Sequence, residues 1–253
     1  MTIHEHIAPM PLYASEQWIG RRKEQEDVVL TEEVDGGLLA IVCDGMGGHR
    51  HGALSAKITA EAFKTSFLVS EQSDVSARLS SSLEYANKAL HDHTSRDPMS
   101  GTTLLAIYVR DRELWWISVG DSPLYVWSHH TIVRLNEDHS MRPIADSLYR
   151  SGQLSLQTAL RQRSILRSAV TGDSLDMVDS PSSSYLLTSD DVIIACSDGL
   201  QTWQEVLRKP ALSALFKAID VSVQELNKTI LEQVKGLLEP TQDNVSFITI
   251  QIR

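Results

Sequence analysis

The sequence predicts an α+β domain in which strand layers carry helix pairs on their outer faces. Three observations lead there. Paired helical segments alternate with blocks of strands, in place of single helices alternating with single strands. Each helical segment has one apolar stripe, enough to cover one sheet face. Three strand-like runs each end by delivering an aspartate: Leu38–Cys43 into Asp44-Gly45, Trp115–Gly120 into Asp121, and Asp191–Ser197 into Asp198-Gly199.

Each element has a local reason. After Gly52, residues Ala53, Ala56, Ala60, Phe63 and Phe67 recur at spacings of three and four, which makes a helix face. A second helix is expected from Ser73 as N-cap, with Val75, Leu79, Leu83, Ala86 and Leu90 on one side. Strands follow at Thr102–Val109, Leu114–Val119, Leu124–Trp127 and Thr131–Arg134, and the hairpin-length link Arg110–Glu113 suggests an antiparallel meander. The stretch His139–Asp179 is irregular, with helical pieces at Pro143–Arg150 and Ser155–Arg167. Strands Tyr185–Thr188 and Val192–Cys196 come next, then helices Pro210–Ile219 and Val223–Leu238, then a last strand Val245–Ile252 with alternating isoleucines.

The chain of 253 residues holds no linker rich in Pro, Gly or Ser, so one domain over 1–253 is expected, with Met1–Ala14 as an N-terminal tail. A hydrophobic content of 42% suits a globular core, and no apolar run approaches the ~20 residues a membrane span needs. The tail lacks the apolar stretch of a signal peptide, so a cytoplasmic location is expected. A net charge of -10 argues against nucleic acid or an anionic membrane as the main partner. Local basic clusters, Arg21-Arg22-Lys23 and then Arg142, Arg150, Arg161, Arg163 and Arg167, are suited to a small anion such as phosphate. Cys43 and Cys196 read as buried free thiols.

The chemistry lies in the acids Glu26, Asp27, Asp44, Asp121, Asp198 and Asp243. Carboxylates gathered at strand ends repel one another and lose hydration, and a divalent cation relieves both costs. No Cys or His sits at zinc spacing, so an oxygen-only site selects Mg²⁺, Mn²⁺ or Ca²⁺. Two such ions can activate a water toward a phosphorus atom. Glycine after Asp44 and after Asp198 would allow a sharp exit from each strand with positive φ, and lets a carbonyl approach a metal.

Six segments, in order, resemble the bacterial form of the metal-dependent Ser/Thr protein phosphatases, the type 2C or PPM family. They are Gly20-Arg21-Arg22-Lys23-Glu24-Gln25-Glu26-Asp27, Leu38–Gly52, Ser100-Gly101-Thr102-Thr103, Val119-Gly120-Asp121-Ser122, Cys196–Leu200 and Gln242-Asp243-Asn244-Val245. The resemblance implies a four-layer α-β-β-α sandwich around a pair of mostly antiparallel sheets, with residues 139–179 as a flap-like insert. It implies hydrolysis of phosphoserine and phosphothreonine by a metal-bridged hydroxide, in opposition to a Ser/Thr kinase, by a monomer of the signalling type. By the same resemblance Asp44 bridges two Mg²⁺ or Mn²⁺ ions, the Gly45 carbonyl joins one, and Asp198 and Asp243 complete the other. Glu26 and Asp27 hold metal-bound waters, Arg22 takes the substrate phosphate, and Asp121 with Asp198 offers a third, weaker ion site.

The chain departs from the family pattern at three places. Met46 stands where many eukaryotic members have a histidine thought to be the general acid, so the leaving oxygen needs another proton source. A water on the metals is preferred, with His49, His51 and His139 as alternatives. Pro123 replaces a common arginine, and Gln242 stands where the family has an acid. Two other readings stay open: a pseudophosphatase that only binds phosphoproteins, and a phosphatase dedicated to one anti-sigma partner.

Overall fold

In a computed structural model, residues 10–47, 50–94, 100–129, 131–203 and 222–252 are described. The chain begins with strand β1 (Leu12–Trp18), which takes in the last three residues of the expected tail. β2 (Asp27–Val34) and β3 (Gly37–Met46) form a tight hairpin through Asp35 and Gly36, both at positive φ. Two long helices follow, α1 (Arg50–Val69) and α2 (Val75–Thr94). The cap of α2 differs from the expectation: the Asp74 carboxylate accepts from the Ala77 N–H at 2.8 Å, one residue beyond Ser73.

The next strands are β4 (Gly101–Thr102), β5 (Leu104–Arg110), β6 (Glu113–Val119), β7 (Leu124–Ser128) and β8 (Thr131–Arg134). The irregular segment contains α3 (Arg142–Arg150) and α4 (Leu156–Gln162), the latter shorter than expected. β9 (Tyr185–Leu186) and β10 (Val192–Cys196) lead to a 3-10 turn at Asp198–Trp203. Helix α5 (Val223–Gly236) opens on a reciprocal Ser222–Glu225 capping box, and β11 (Val245–Gln251) closes the described chain. The expected helix Pro210–Ile219 lies outside the described residues.

These strands make two antiparallel sheets, ordered β1-β11-β10-β7-β8 and β2-β3-β5-β6-β9, with β4 beside β3. The expected meander is therefore split. β5 and β6 stay in one sheet, whereas β7 and β8 belong to the other. The chain crosses between sheets at Gly120–Pro123, and the crossing delivers Asp121 between them.

Alternation along the strands explains the layers. Leu38, Ala40 and Val42 of β3 face Ile193 and Ala195 of β10 and Ile248 and Ile250 of β11, filling the gap between sheets. The opposite side of β3, Leu39, Ile41 and Cys43, packs on Ala56, Ala60, Phe63 and Phe67 of α1 and Leu79, Leu83 and Leu90 of α2. The outer side of the second sheet, with Ile194, Cys196 and Phe247, packs on Leu226, Ile230 and Val234 of α5. The order helix, sheet, sheet, helix is the expected four-layer α-β-β-α sandwich. Cys43 and Cys196 are buried free thiols in different sheets and different cores.

Candidate metal centre

The carboxylates meet where the two sheets end together. Asp27, first residue of β2, lies directly opposite Asp44 of β3 in the antiparallel register. β3 continues through Asp44, Gly45 and Met46, so this aspartate lies inside the strand and not past its end. The Asp44 backbone is fixed from both sides: its N–H donates to Thr103 Oγ1 at 2.9 Å, and its carbonyl accepts from the Thr103 N–H and the Thr102 hydroxyl, each at 2.9 Å. Thr103 Oγ1 also contacts Ser122 Oγ at 2.7 Å, which ties this edge to the Asp121 crossing.

Neither Gly45 nor Gly199 has positive φ, contrary to the expectation of a sharp left-handed exit. Their use is close approach. A Cβ on Gly45 would stand 2.3 Å from the Gly52 carbonyl oxygen in α1 and 2.8 Å from that of Glu26. One on Gly199 would stand 1.8 Å from the Asn244 carbonyl oxygen. The glycines allow backbone segments to pack against one another beside the carboxylates.

From the second sheet come Asp198, after β10, and Asp243, before β11. Ser197 joins the sheets: its hydroxyl donates to Asp27 Oδ2 at 2.8 Å, and it receives the Ser246 N–H at 3.1 Å. Asn244 clasps the Ile19–Glu26 loop. Its Oδ1 accepts the Glu26 N–H at 2.8 Å, and its Nδ2 donates to the carbonyls of Ile19 and Glu24 at 2.9 and 3.1 Å. This clasp presents Arg22, whose Nη2 pairs with Asp243 Oδ2.

The result is one cavity of about 290 Å³ lined by Arg22, Glu26, Asp44, Gly45, Asp121, Asp198 and Asp243. Met46, Gly47, Thr103, Ser164, Leu166 and Asn244 complete its wall. Burial raises the pKa of Asp44 well above the carboxylate range, and the charges of Asp27, Asp198, Asp121 and Asp243 raise it further. Asp198 is raised by burial and then by Asp243, partly offset by a hydrogen bond with Asp44. Asp121 is pushed up to about 7 by burial, then by Asp198 and Asp138, against the pull of Arg142 and Arg134. Asp27 is likewise pushed up to about 7, chiefly by burial, although Ser197 and Ser246 stabilise its ionised form.

Five acids and one arginine in one cavity carry more negative charge than the chain itself neutralises. Hard oxygen donors at these positions fit divalent Mg²⁺ or Mn²⁺. Among the described residues, no three His, Cys, Asp or Glu side chains are yet drawn into a closed ion shell. Asp243 is paired with Arg22 in this arrangement.

The sequence matches the protein phosphatase 2C family over residues 19–239. The chain belongs to that family. The phosphatase is 27% identical to the serine/threonine phosphatase stp of Listeria welshimeri over 244 residues, which is 88% of this chain and 94% of that protein. A serine/threonine phosphatase of S. agalactiae shares its fold with a TM-score of 0.81 at 21% identity, covering 96% of this chain and 100% of that one. The catalytic domain of PstP, solved in complex with two manganese ions, matches with a TM-score of 0.75 at 21% identity, covering 96% and 99%. The family is one of metal-dependent protein phosphatases that act on phosphoserine and phosphothreonine.

The phosphatase brings every expected site acid except Asp27 to the cavity wall, and Asp27 sits beside Asp44 on the paired strand. Of the alternative proton donors, His139 is buried behind the site, where its Nδ1 accepts the Gly120 N–H at 3.2 Å. His51 is exposed on α1, and His49 lies outside the described residues. Sequence reasoning missed the supports Ser197, Thr102 and Thr103, and also the clasp made by Asn244. Ser197 and Asn244 do adjoin Asp198 and Asp243 in sequence, but Thr102 and Thr103 adjoin no site acid, and the partner of each side chain depends on which strands pair.

Proposed function

We propose that the whole chain is one catalytic domain, with residues 139–179 as its insert, that removes phosphate from serine and threonine side chains in proteins. What carries the assignment of residues is a single observation: acids from five separate parts of the chain line one cavity together with Arg22. In this reading Asp44, the Gly45 carbonyl, Asp198 and Asp243 hold two Mg²⁺ or Mn²⁺ ions, and Asp121 with Asp198 offers a third position. PstP's complex with two manganese ions supports the choice of cation. When bound, such ions supply Lewis acidity that lowers the pKa of water and offsets phosphoryl charge.

The chain's own residues do the rest. Thr102 and Thr103 hold the Asp44 backbone from both sides, so its carboxylate is aimed before any ion or substrate arrives. Ser197 orients Asp27 beside it. Glu26 and Asp27 orient waters in the cavity. Arg22 exchanges Asp243 for the substrate phosphate, which its planar fork can grip by two charge-assisted hydrogen bonds. Met46 lines the cavity and has no proton to give, so the leaving oxygen is protonated by cavity water. The buried thiols Cys43 and Cys196 have their pKa raised by burial and stay out of the chemistry.

The reading extends to a monomeric signalling enzyme opposing a Ser/Thr kinase, in a reducing cytoplasm that suits two free thiols. Among the described residues no helix is long and apolar enough to cross a membrane. A binding-only role has less support, because each acid proposed to hold an ion, Asp44, Asp121, Asp198 and Asp243, lines the cavity. The test is turnover of p-nitrophenyl phosphate in Mn²⁺. Asp44→Asn and Asp198→Asn are expected to lower kcat by about a thousandfold or more, and EDTA to abolish turnover in the unaltered chain. Full activity in excess EDTA would sink the proposal.

A further inference from the structure

The insert contrasts with the rest of the molecule. Between Arg142 and Arg167 it has five arginines and a single acid, Asp146, in a chain of net charge -10. Asp146 is already engaged by Arg163 at 2.6 Å, and Arg167 turns inward to the carbonyls of Ser140 and Asp138. Arg150 and Arg161 are exposed. The same segment also exposes large apolar side chains. Leu156 and Leu160, one turn apart on α4, and Ile165 just beyond it are 49%, 51% and 52% exposed. Ala159 fills the buried side of α4, and the two leucines flank it half exposed.

This surface runs into the cavity. Ile165 stands between Ser164 and Leu166, both of which line the cavity wall. A chain whose phosphorylated residue enters the cavity on this side passes over Ile165, Arg161 and Leu160. At 1.5 Å per helical residue, Leu160 and Leu156 lie about 6 and 12 Å along the segment from Ser164. An extended peptide covers such distances in about two to four residues.

We propose that this apolar, basic face of the insert docks the substrate itself: a segment that carries acidic side chains and one large apolar side chain about two to four residues from the phosphorylated residue. The occupant is chosen by charge. Two exposed arginines on an otherwise acidic protein attract an acidic segment and disfavour a basic one. The leucine pair supplies the apolar contact that fixes its register. The inference rests on the phosphatase reading and adds the substrate class to it.

The test compares kcat/KM in Mn²⁺ for three phosphothreonine peptides with neutral, acidic-plus-leucine and basic-plus-leucine flanks, the flank placed on either side, with p-nitrophenyl phosphate as a substrate too small to dock. The acidic-leucine peptide is expected to exceed the neutral one by about tenfold through KM, and the gap should shrink as salt rises from about 0.05 to 0.5 M. Leu156→Ala with Leu160→Ala should remove the gap and leave p-nitrophenyl phosphate turnover unchanged. Arg150→Glu with Arg161→Glu should move the preference to the basic peptide, a gain that misfolding cannot produce. Equal rates on all three peptides, with p-nitrophenyl phosphate still hydrolysed, would overturn the docking face alone. No turnover of any substrate would overturn the phosphatase reading and the docking face with it. A dimer in sedimentation that the leucine substitutions dissociate would also overturn docking, by assigning the face to a second copy.

Discussion

Gly199 shows how little room separates the carboxylates from the backbone that holds them. Its position would put a Cβ 1.8 Å from the Asn244 carbonyl oxygen, and the Gln242 side chain reaches the Gly199 carbonyl at 3.0 Å. Asp198 and Asp243 are therefore held in place by contact between their neighbours. Gly199→Ala forces those segments apart. It should cost about 1–3 kcal/mol of stability and lower kcat at least tenfold, because the acids separate as the backbone yields. Thermal unfolding and p-nitrophenyl phosphate kinetics would check both effects, and an alanine variant of unchanged Tm and kcat would contradict the packing argument. The sequence shows that a glycine follows Asp44 and Asp198. It cannot show that the reason is contact and not a left-handed turn, since that depends on Gly52, Glu26 and Asn244, distant in the chain.

Among elements, those with their own periodicity were legible and those made by a partner were not. β8 and β10 have the bounds the alternation suggests, Thr131–Arg134 and Val192–Cys196, because apolar strand residues and turn residues mark both ends. β1 and β2 carry polar or half-buried residues on much of their length, and became strands by pairing with β11 and β3. The sheet exchange between β6 and β7 was hidden too, since a run of short strands has the same pattern in one sheet or in two. The start of α2 offers a measurable case. Ser73 and Asp74 are both good N-caps by residue type, yet Asp74 makes the bond to the Ala77 N–H. Asp74→Ala should cost about 1 kcal/mol in denaturant unfolding, whereas Ser73→Ala should lie within about 0.5 kcal/mol of the parent. Equal costs would mean that the helix shares its cap.

For the whole molecule, the site couples stability to pH and to metal. The folded chain holds protons on Asp27 and Asp121 up to about pH 7, against 3.8 for an ordinary aspartate. A raised folded-state value means that the native state binds the proton more tightly than the unfolded chain does. The stability this gives is complete below 3.8 and is lost as pH rises through about 7. His139, lowered from 6.5 by burial, acts in the opposite sense, but only at and below that pH. Between pH 6.5 and 8 the carboxylates therefore set the slope, and the metal-free protein should become less stable as pH rises. A divalent cation opposes this trend, because it binds the deprotonated acids in place of their protons and therefore binds more tightly as pH rises. At about a hundred times its Kd an ion adds roughly 2.7 kcal/mol, which is about 5–10 °C in Tm for a domain of this size. Thermal unfolding in EDTA and in Mn²⁺ across pH 6.5–8 should show a gap that widens with pH, and Asp121→Asn should flatten the EDTA curve. A gap of constant width would mean that the ions stabilise the fold without replacing protons on these carboxylates.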